Sequence, residues 1–212
     1  MKDEASLFGG PDFSLERAAG APKKRIAGVD EAGRGAWCGP VVAAAVVFDD
    51  PARIPDGLDD SKKLSAKKRD VLFDLILASA DVGIGYGSVE QIEVRNVLNA
   101  TMDAMRDAIL ALDQAPDHAL IDGNKTPLLS CSADTIIGGD GRAVSIAAAS
   151  IIAKVTRDRL MHALDADFPG YGWSTNVGYG TPVHKQGLER LGVCIHHRRS
   201  YKPIRNILRN SS

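Results

Sequence analysis

The chain has 212 residues and a mass of 22.5 kDa, with 44% hydrophobic and 25% charged side chains, a composition that suits a globular domain with a sizeable core and excludes a disordered segment. Its formal charge of −1 hides an asymmetry: residues 185–212 hold seven Lys/Arg against Glu189 alone, a charge of +6, so residues 1–184 carry −7. No apolar run approaches the roughly 18 residues of a membrane span, and at 5% aromatic residues a base-stacking sheet is not expected.

The first twenty residues have acids and a proline where a signal peptide has a basic start and an apolar stretch. Cys38, Cys131 and Cys194 are odd in number and lack a CxxC pair, so neither a disulfide framework nor a zinc site is supported, and a cytoplasmic setting is expected. Residues 1–22, rich in Gly, Pro and acids, are expected to be a flexible N-terminal arm, and residues 23–212 one domain with a basic C-terminal segment.

In chain order, residues 26–30 and the valine- and alanine-rich residues 41–48 predict buried strands, separated by the glycine-rich turn Ala32-Gly33-Arg34-Gly35. Ser65 is a suitable N-cap for a helix with an apolar stripe of Leu72, Leu75 and Ile76, and residues 82–87 predict a third strand. Leu98, Met102, Met105, Ile109 and Leu112 mark one face of a helix running to about Asp113, its methionines in the core. Residues 119–121 predict a short strand ending at Asp122, and residues 135–137 another leading through Gly138-Gly139 to Asp140. Residues 147–164 predict a long helix stopped by Phe168-Pro169-Gly170. This order predicts an α/β fold, a mixed sheet with helices packed on it.

Asp30, Asp122 and Asp140 each follow an apolar stretch, at strand ends where side chains of an α/β fold converge on one cleft. Glu31 joins them only if the backbone turns beside it, because neighbours in a strand point to opposite faces. Each of these acids alone also suits an ordinary turn. Four hard oxygen donors without Cys or paired His select Mg²⁺ or Mn²⁺, and such a cluster suits phosphodiester cleavage. The adjoining Gly33-Arg34-Gly35 adds a flexible, donor-rich backbone and a guanidinium for phosphate or ribose recognition. Lys67, Lys68 and Arg69 are expected to be solvated surface charges, and His196-His197 to serve packing or phosphate contact instead of a metal.

AGVDEAGRG at 27–35, DSKKLS at 60–65, LIDGN at 120–124, SIIAKVTRD at 150–158, GYGT at 178–181 and HHRRS at 196–200 together resemble the type 2 ribonuclease H family, bacterial ribonuclease HII, over residues 26–202. The resemblance implies a ribonuclease H-like mixed β-sheet flanked by helices, with a helical C-terminal segment. It also implies an endonuclease that cuts the RNA strand of RNA–DNA hybrids and nicks duplex DNA on the 5′ side of an embedded ribonucleotide. Asp30, Glu31, Asp122 and Asp140 would then be the catalytic, metal-binding residues for Mg²⁺ or Mn²⁺. Gly33, Arg34 and Gly35 would contact the 2′-hydroxyl and phosphate at the junction, and Tyr179 would stack beside the next, deoxy sugar. Ser61, Lys62, Lys154 and Arg157 would bind substrate, and the cations Lys62, Lys63, Lys154 and Arg157 suit its phosphates, with the C-terminal cations along the duplex. A monomer without a membrane partner is expected. Two places depart from the family pattern: Ala36-Trp37-Cys38 after Gly35, and Asn176-Val177 before Gly178. The competing readings are a DNA nuclease or strand-transfer enzyme with a similar carboxylate cluster, and a catalytically silent hybrid-binding module.

Overall fold

Period-two burial organises the computed structural model, which describes residues 10–210. Strand β1 (Ile26–Ala32) pairs antiparallel with β2 (Val41–Val47), and β2 antiparallel with β3 (Asp81–Gly87). On its other side β1 pairs parallel with β4 (His118–Asp122), and β4 with β5 (Ser132–Ile136), giving the order β3-β2-β1-β4-β5. All of β2 is buried because both sheet faces are covered. Ala44 and Val46 face one core with Leu72, Phe73, Ile76, Ile151 and Ile152, whereas Ala43, Ala45 and Val47 face another with Ala104, Met105, Ala108 and Ile109.

The first core lies under α2 (Ala66–Ser79) and α4 (Val144–Asp167), the second under α3 (Val89–Leu110). Ser65 caps α2 as expected, accepting from the Lys68 N–H. Its buried stripe is Leu72, Phe73 and Ile76; the expected Leu75 is 47% exposed. Helix α3 is kinked at Asn96 (φ +64°, ψ 163°), whose side chain accepts the Asn99 N–H at 3.1 Å and caps the stretch expected from Leu98 onward; a preceding stretch, not expected, starts at a capping box in which Ser88 and Gln91 exchange hydrogen bonds. The helix lies directly on β3: a Cβ at Gly83, Gly85 or Gly87 would crowd the carbonyls of Ala108, Ala104 and Ala100. Two strand residues and four helix residues both advance about 6–7 Å, so the two repeats stay in step.

Of the arm expected over residues 1–22, residues 1–9 lie outside the described residues; the rest is corrected by a short helix α1 (Ser14–Ala19), whose Glu16 is buried. Leu15, Ala19 and Ala21 pack with Ile26, Leu120 and Ile146, so an acid- and glycine-rich stretch still supplies three apolar anchors. At the other end α5 (Trp173–Asn176), α6 (Pro182–Leu191) and α7 (Lys202–Asn210) surround a separate core of Cys38, Met161, Tyr171, Trp173, Leu188 and Ile204. Among the described residues no helix is long and apolar enough to cross a membrane.

Candidate active site

Pairing between β1 and β4 stops at Val29 opposite Ile121, while pairing between β1 and β2 continues to Ala32 opposite Val42. The two parallel strands therefore part at their carboxyl ends, the place where open α/β sheets hold ligands. A cavity of about 280 Å³ opens there, lined by Asp30, Glu31, Gly33, Arg34, Gly35, Ser61, Lys62, Asp122, Lys154, Arg157 and Tyr179 among others. Glu31 reaches it without a turn in β1, since it stays in register opposite Ala43; the backbone bends only at Gly33, with φ +95°. That corrects the expectation that a turn beside Glu31 is required.

Asp140 adjoins this cavity from a 3₁₀ turn, Gly139–Gly141, and not from a strand end, because β5 stops at Ile136. The Asp122 carboxylate fixes that turn by accepting the Gly139 N–H at 2.7 Å. Asp30 is 4% exposed and accepts the Glu31 N–H at 2.7 Å. Burial, reinforced by the charges of Glu31 and Asp122, pushes the Asp30 carboxyl well above the ordinary aspartate range. Burial raises Glu31 as well, against the opposing Arg34 guanidinium at 3.0 Å, and it raises Asp140, helped by Asp60. Lys62 lies 3.5 Å from Asp140 and 3.6 Å from Asp60; although burial works against its charge, these two acids hold its pKa above the ordinary lysine value. A buried set of like charges with oxygen donors only is the donor set for a hard divalent cation.

Helix α4 brings Ser150, Lys154 and Arg157 to the cavity at spacings of four and three, one helix face. Lys154 pairs with Asp158 at 2.8 Å. The Ser150 hydroxyl donates to the Ser61 hydroxyl at 2.7 Å, joining α4 to the 60–65 loop. Asp60 and Ser150 carry no role in the sequence reading; the helical spacing of Ser150 from Lys154 was the available signal.

Three arginines have other duties than expected. Arg157 is 1% exposed, and its guanidinium donates to the carbonyls of Pro40 at 2.9 Å, Val177 at 2.9 Å and Cys38 at 3.1 Å. With those bonds formed it serves as scaffold, which corrects the phosphate contact expected of it. Arg198, expected along the duplex, is fully buried and donates to Gly39 and Arg34 carbonyls. Arg69, expected as a free surface charge, holds the Ser61 and Leu64 carbonyls at 2.9 and 2.6 Å.

The Arg34 carbonyl is held inward by Arg198 and by the Tyr201 hydroxyl. Because C=O and N–H point oppositely across a trans peptide, the Gly35 N–H faces out of the core. A Cβ at Gly35 would lie 3.7 Å from the Tyr179 ring, which is 41% exposed and has the Arg157 guanidinium carbon 5.9 Å from its centroid. The departures from the family pattern build the floor beneath. The Trp37 ring leaves no room for a side chain at Gly180, and buried Asn176 bonds Tyr171 and Gly178.

The sequence model of the ribonuclease HII family matches residues 27–204. The chain belongs to the ribonuclease HII family. It is 57% identical over 200 residues to the ribonuclease HII of Jannaschia sp. (strain CCS1), covering 94% of this chain and 98% of that protein. It is 56% identical to the ribonuclease HII of Ruegeria pomeroyi over 93% of this chain and 85% of the relative. The crystal structure of ribonuclease H2 from Pyrococcus horikoshii OT3 superposes with a TM-score of 0.77 at 28% identity, covering 88% of this chain and 98% of that one. As a ribonuclease HII, the chain is a metal-dependent nuclease with ribonuclease H activity on RNA–DNA hybrids.

Cys38, His184 and His197 form a second cluster, with ligand atoms within 4.8 Å of one another. Its protons are already placed. The Trp173 indole N–H donates to His184 Nε2 at 3.2 Å, so His184 carries its proton on Nδ1, toward the Tyr179 carbonyl at 3.0 Å. His197 Nδ1 accepts the Cys194 N–H at 3.1 Å, and its Nε2 lies 3.1 Å from His184 Nε2. These histidines serve packing, as expected of His197.

Burial pulls His197 down to about 4 and lowers His184 too. The native state then binds fewer protons than the unfolded chain below the ordinary histidine pKa. Stability from this network is complete above about pH 6.5 and is lost as pH falls toward 4, by roughly 3 kcal/mol for His197. Thermal melts from pH 7 to 4.5 should show the decline, and His197→Gln, less stable at pH 7, should show a flatter acid limb. An unchanged acid limb in the variant contradicts this assignment.

Proposed function

We propose that the chain hydrolyses the RNA strand of RNA–DNA hybrids and nicks duplex DNA on the 5′ side of embedded ribonucleotides by two-metal-ion catalysis, leaving 3′-hydroxyl and 5′-phosphate ends. The observation that carries this reading is that Asp30, Glu31, Asp122 and the sugar-contacting groups line one cavity, with Asp140 beside it 3.5 Å from the lining Lys62. Asp30, Glu31, Asp122 and Asp140 would hold Mg²⁺ or Mn²⁺. Such ions, when bound, supply an activated water and stabilise the leaving oxygen.

The remaining steps belong to side chains and backbone. Lys62, already drawn toward Asp140, and Lys154 neutralise the phosphates flanking the scissile bond, and Ser61 holds the loop that presents Lys62. The outward Gly35 N–H, with Gly33 and Arg34, meets the 2′-hydroxyl and its phosphate; a deoxy sugar leaves those groups unpaired. Tyr179, against Gly35, covers the sugar of the following deoxynucleotide. The exposed cations of α7, Lys202, Arg205 and Arg209, lie along the duplex. Residues 23–212, with α1 packed against them, act as one catalytic unit, as a monomer in the cytoplasm.

Incubation with an end-labelled duplex carrying one ribonucleotide, with Mg²⁺, with Mn²⁺ and with chelator, tests substrate and cofactor together. Metal-dependent cleavage immediately 5′ to the ribonucleotide is expected. Equal cleavage of an all-DNA duplex favours a DNA nuclease instead, and metal-dependent turnover of any kind eliminates a silent binding module. Tyr179→Ala should slow cleavage at the single ribonucleotide about tenfold, within the ~1–3 kcal/mol range for loss of an aromatic stack on a nucleotide. An unchanged rate there refutes the junction role of Tyr179.

A further inference from the structure

Helix α4, which carries Ser150 and Lys154 into the cavity, has no capping side chain at its own start. Ala143 stands at its N-cap in extended conformation and offers no side-chain acceptor. The open N–H groups are satisfied by residues about 130 positions earlier in the chain. The Val144 N–H donates to the Asp12 carbonyl at 3.2 Å, and the Asp12 N–H to the Arg142 carbonyl at 3.3 Å. One oxygen of the Glu16 carboxylate accepts both the Ser145 N–H at 2.9 Å and the Ser145 hydroxyl at 2.6 Å.

This arrangement is an expensive way to cap a helix. Glu16 is 1% exposed, and its second oxygen has no hydrogen-bond partner among the described residues. Stability alone would be met by Ser or Asp at position 143. What the distant carboxylate adds is position. Ser145 lies five residues after Asp140, and the Gly139–Gly141 turn runs into α4 through Arg142 and Ala143. Gly28, two residues before Asp30, packs so closely on Ser145 that no Cβ fits between them. Ser145 is thus where the strand bearing Asp30 and Glu31 meets the helix that follows Asp140, and Glu16 grips that point with a carboxyl oxygen at the N-terminus of α4.

We propose that Glu16 is a positioning residue for the metal-binding carboxylates, setting the separation of Asp140 from Asp30 through Ser145. The inference rests on the carboxylate assignment above. The test is Mn²⁺ binding to the full chain, followed by the paramagnetic resonance signal of the free ion, which needs no substrate. Glu16→Ala, Glu16→Gln and Glu16→Asp are compared with the parent and with Asp140→Asn.

Glu16→Ala is expected to weaken Mn²⁺ binding about tenfold or more, the range for loss of an outer-shell partner. Its KM for the hybrid should stay near the parent value while kcat at fixed metal falls. Glu16→Gln, whose amide oxygen can accept the same two bonds, should restore most of the affinity. A Glu16→Ala protein with parent-like near-ultraviolet circular dichroism and undiminished Mn²⁺ affinity overturns the proposal. Should the alanine variant not fold, Glu16→Asp decides: it keeps the charge but is one methylene too short for Ser145, and parent-like Mn²⁺ binding by it is equally fatal. Parent-like binding by Asp140→Asn would instead overturn the carboxylate assignment itself, and this proposal with it.

Discussion

Asp30→Asn is expected to lose metal-dependent cleavage of the hybrid by at least about 10²–10³-fold, the scale for removal of one preorganised charge-stabilising group, while the protein becomes more stable in metal-free buffer. The two outcomes share one cause. Asp30 is buried beside Glu31, Asp122 and Asp140, so its ionised form is held against desolvation and like charge. Asparagine keeps an oxygen to accept the Glu31 N–H at the same shape and removes the charge. For a chain of this size, each kcal/mol of repulsion relieved should raise Tm by about 2–4 °C.

The pH dependence follows the same sign. A carboxyl raised above its unfolded pKa destabilises the metal-free native state at pH above the raised value; that penalty shrinks as pH falls below the raised pKa and is gone once pH is below the ordinary aspartate pKa. Duplex affinity measured in chelator should hold or tighten in Asp30→Asn, because one negative charge facing the phosphates is gone. Asp140→Asn should be equally inactive but gain less stability, since Lys62 at 3.5 Å already offsets part of the Asp140 charge. Full activity in both variants would remove the metal assignment. A fall in the metal-free Tm of Asp30→Asn would show that its carboxylate is structural.

The contrast between what sequence shows and what it hides is clearest among the charged residues. The grouping of the four acids was legible because an oxygen-only donor set beside Gly33-Arg34-Gly35 has few other uses, and β1 to β4 were legible because buried strands such as β2 are apolar, whereas β5 (Ser132–Ile136), polar and mostly exposed, starts three residues before the expected 135. The arginines were not. Arg69, Arg157 and Arg198 look like phosphate binders or surface charges in a string, whereas each of them holds backbone carbonyls. Which cation meets a phosphate depends on which carbonyls the fold leaves open, and those exist only after the loops have formed. The stretch of α3 before its kink at Asn96 was hidden for a related reason. Asn96, at φ +64°, breaks its apolar period, and its docking depends on Gly83, Gly85 and Gly87 meeting a helix distant in sequence. The bond between Glu16 and Ser145 likewise leaves no local pattern.

Arg157→Lys should destabilise the protein by about 2–5 kcal/mol, although charge and length are nearly conserved, because most of a three-carbonyl network is left unsatisfied. The guanidinium reaches Cys38 and Pro40 in the β1–β2 connection and Val177 in the segment leading to Tyr179. Its side chain also occupies the space a Cβ would take at Gly33. Val177 sits at φ +42°, an unfavourable conformation for a β-branched residue, so its carbonyl is held where Arg157 needs it against backbone strain. One planar fork thus sets the glycine turn and the tyrosine on the same wall of the cavity. An ammonium offers no planar fork and cannot reproduce the three directions. The expected fall in Tm is about 4–20 °C at 2–4 °C per kcal/mol, accompanied by poorer discrimination between a single ribonucleotide and all-DNA duplex. If Arg157 were instead a phosphate ligand, Arg157→Lys would keep Tm and discrimination, and Arg157→Ala would lower the slope of log affinity against log salt by about 0.9. The buried network predicts the opposite on all three readouts, with a salt slope that Arg157→Ala leaves unchanged in whatever fraction folds.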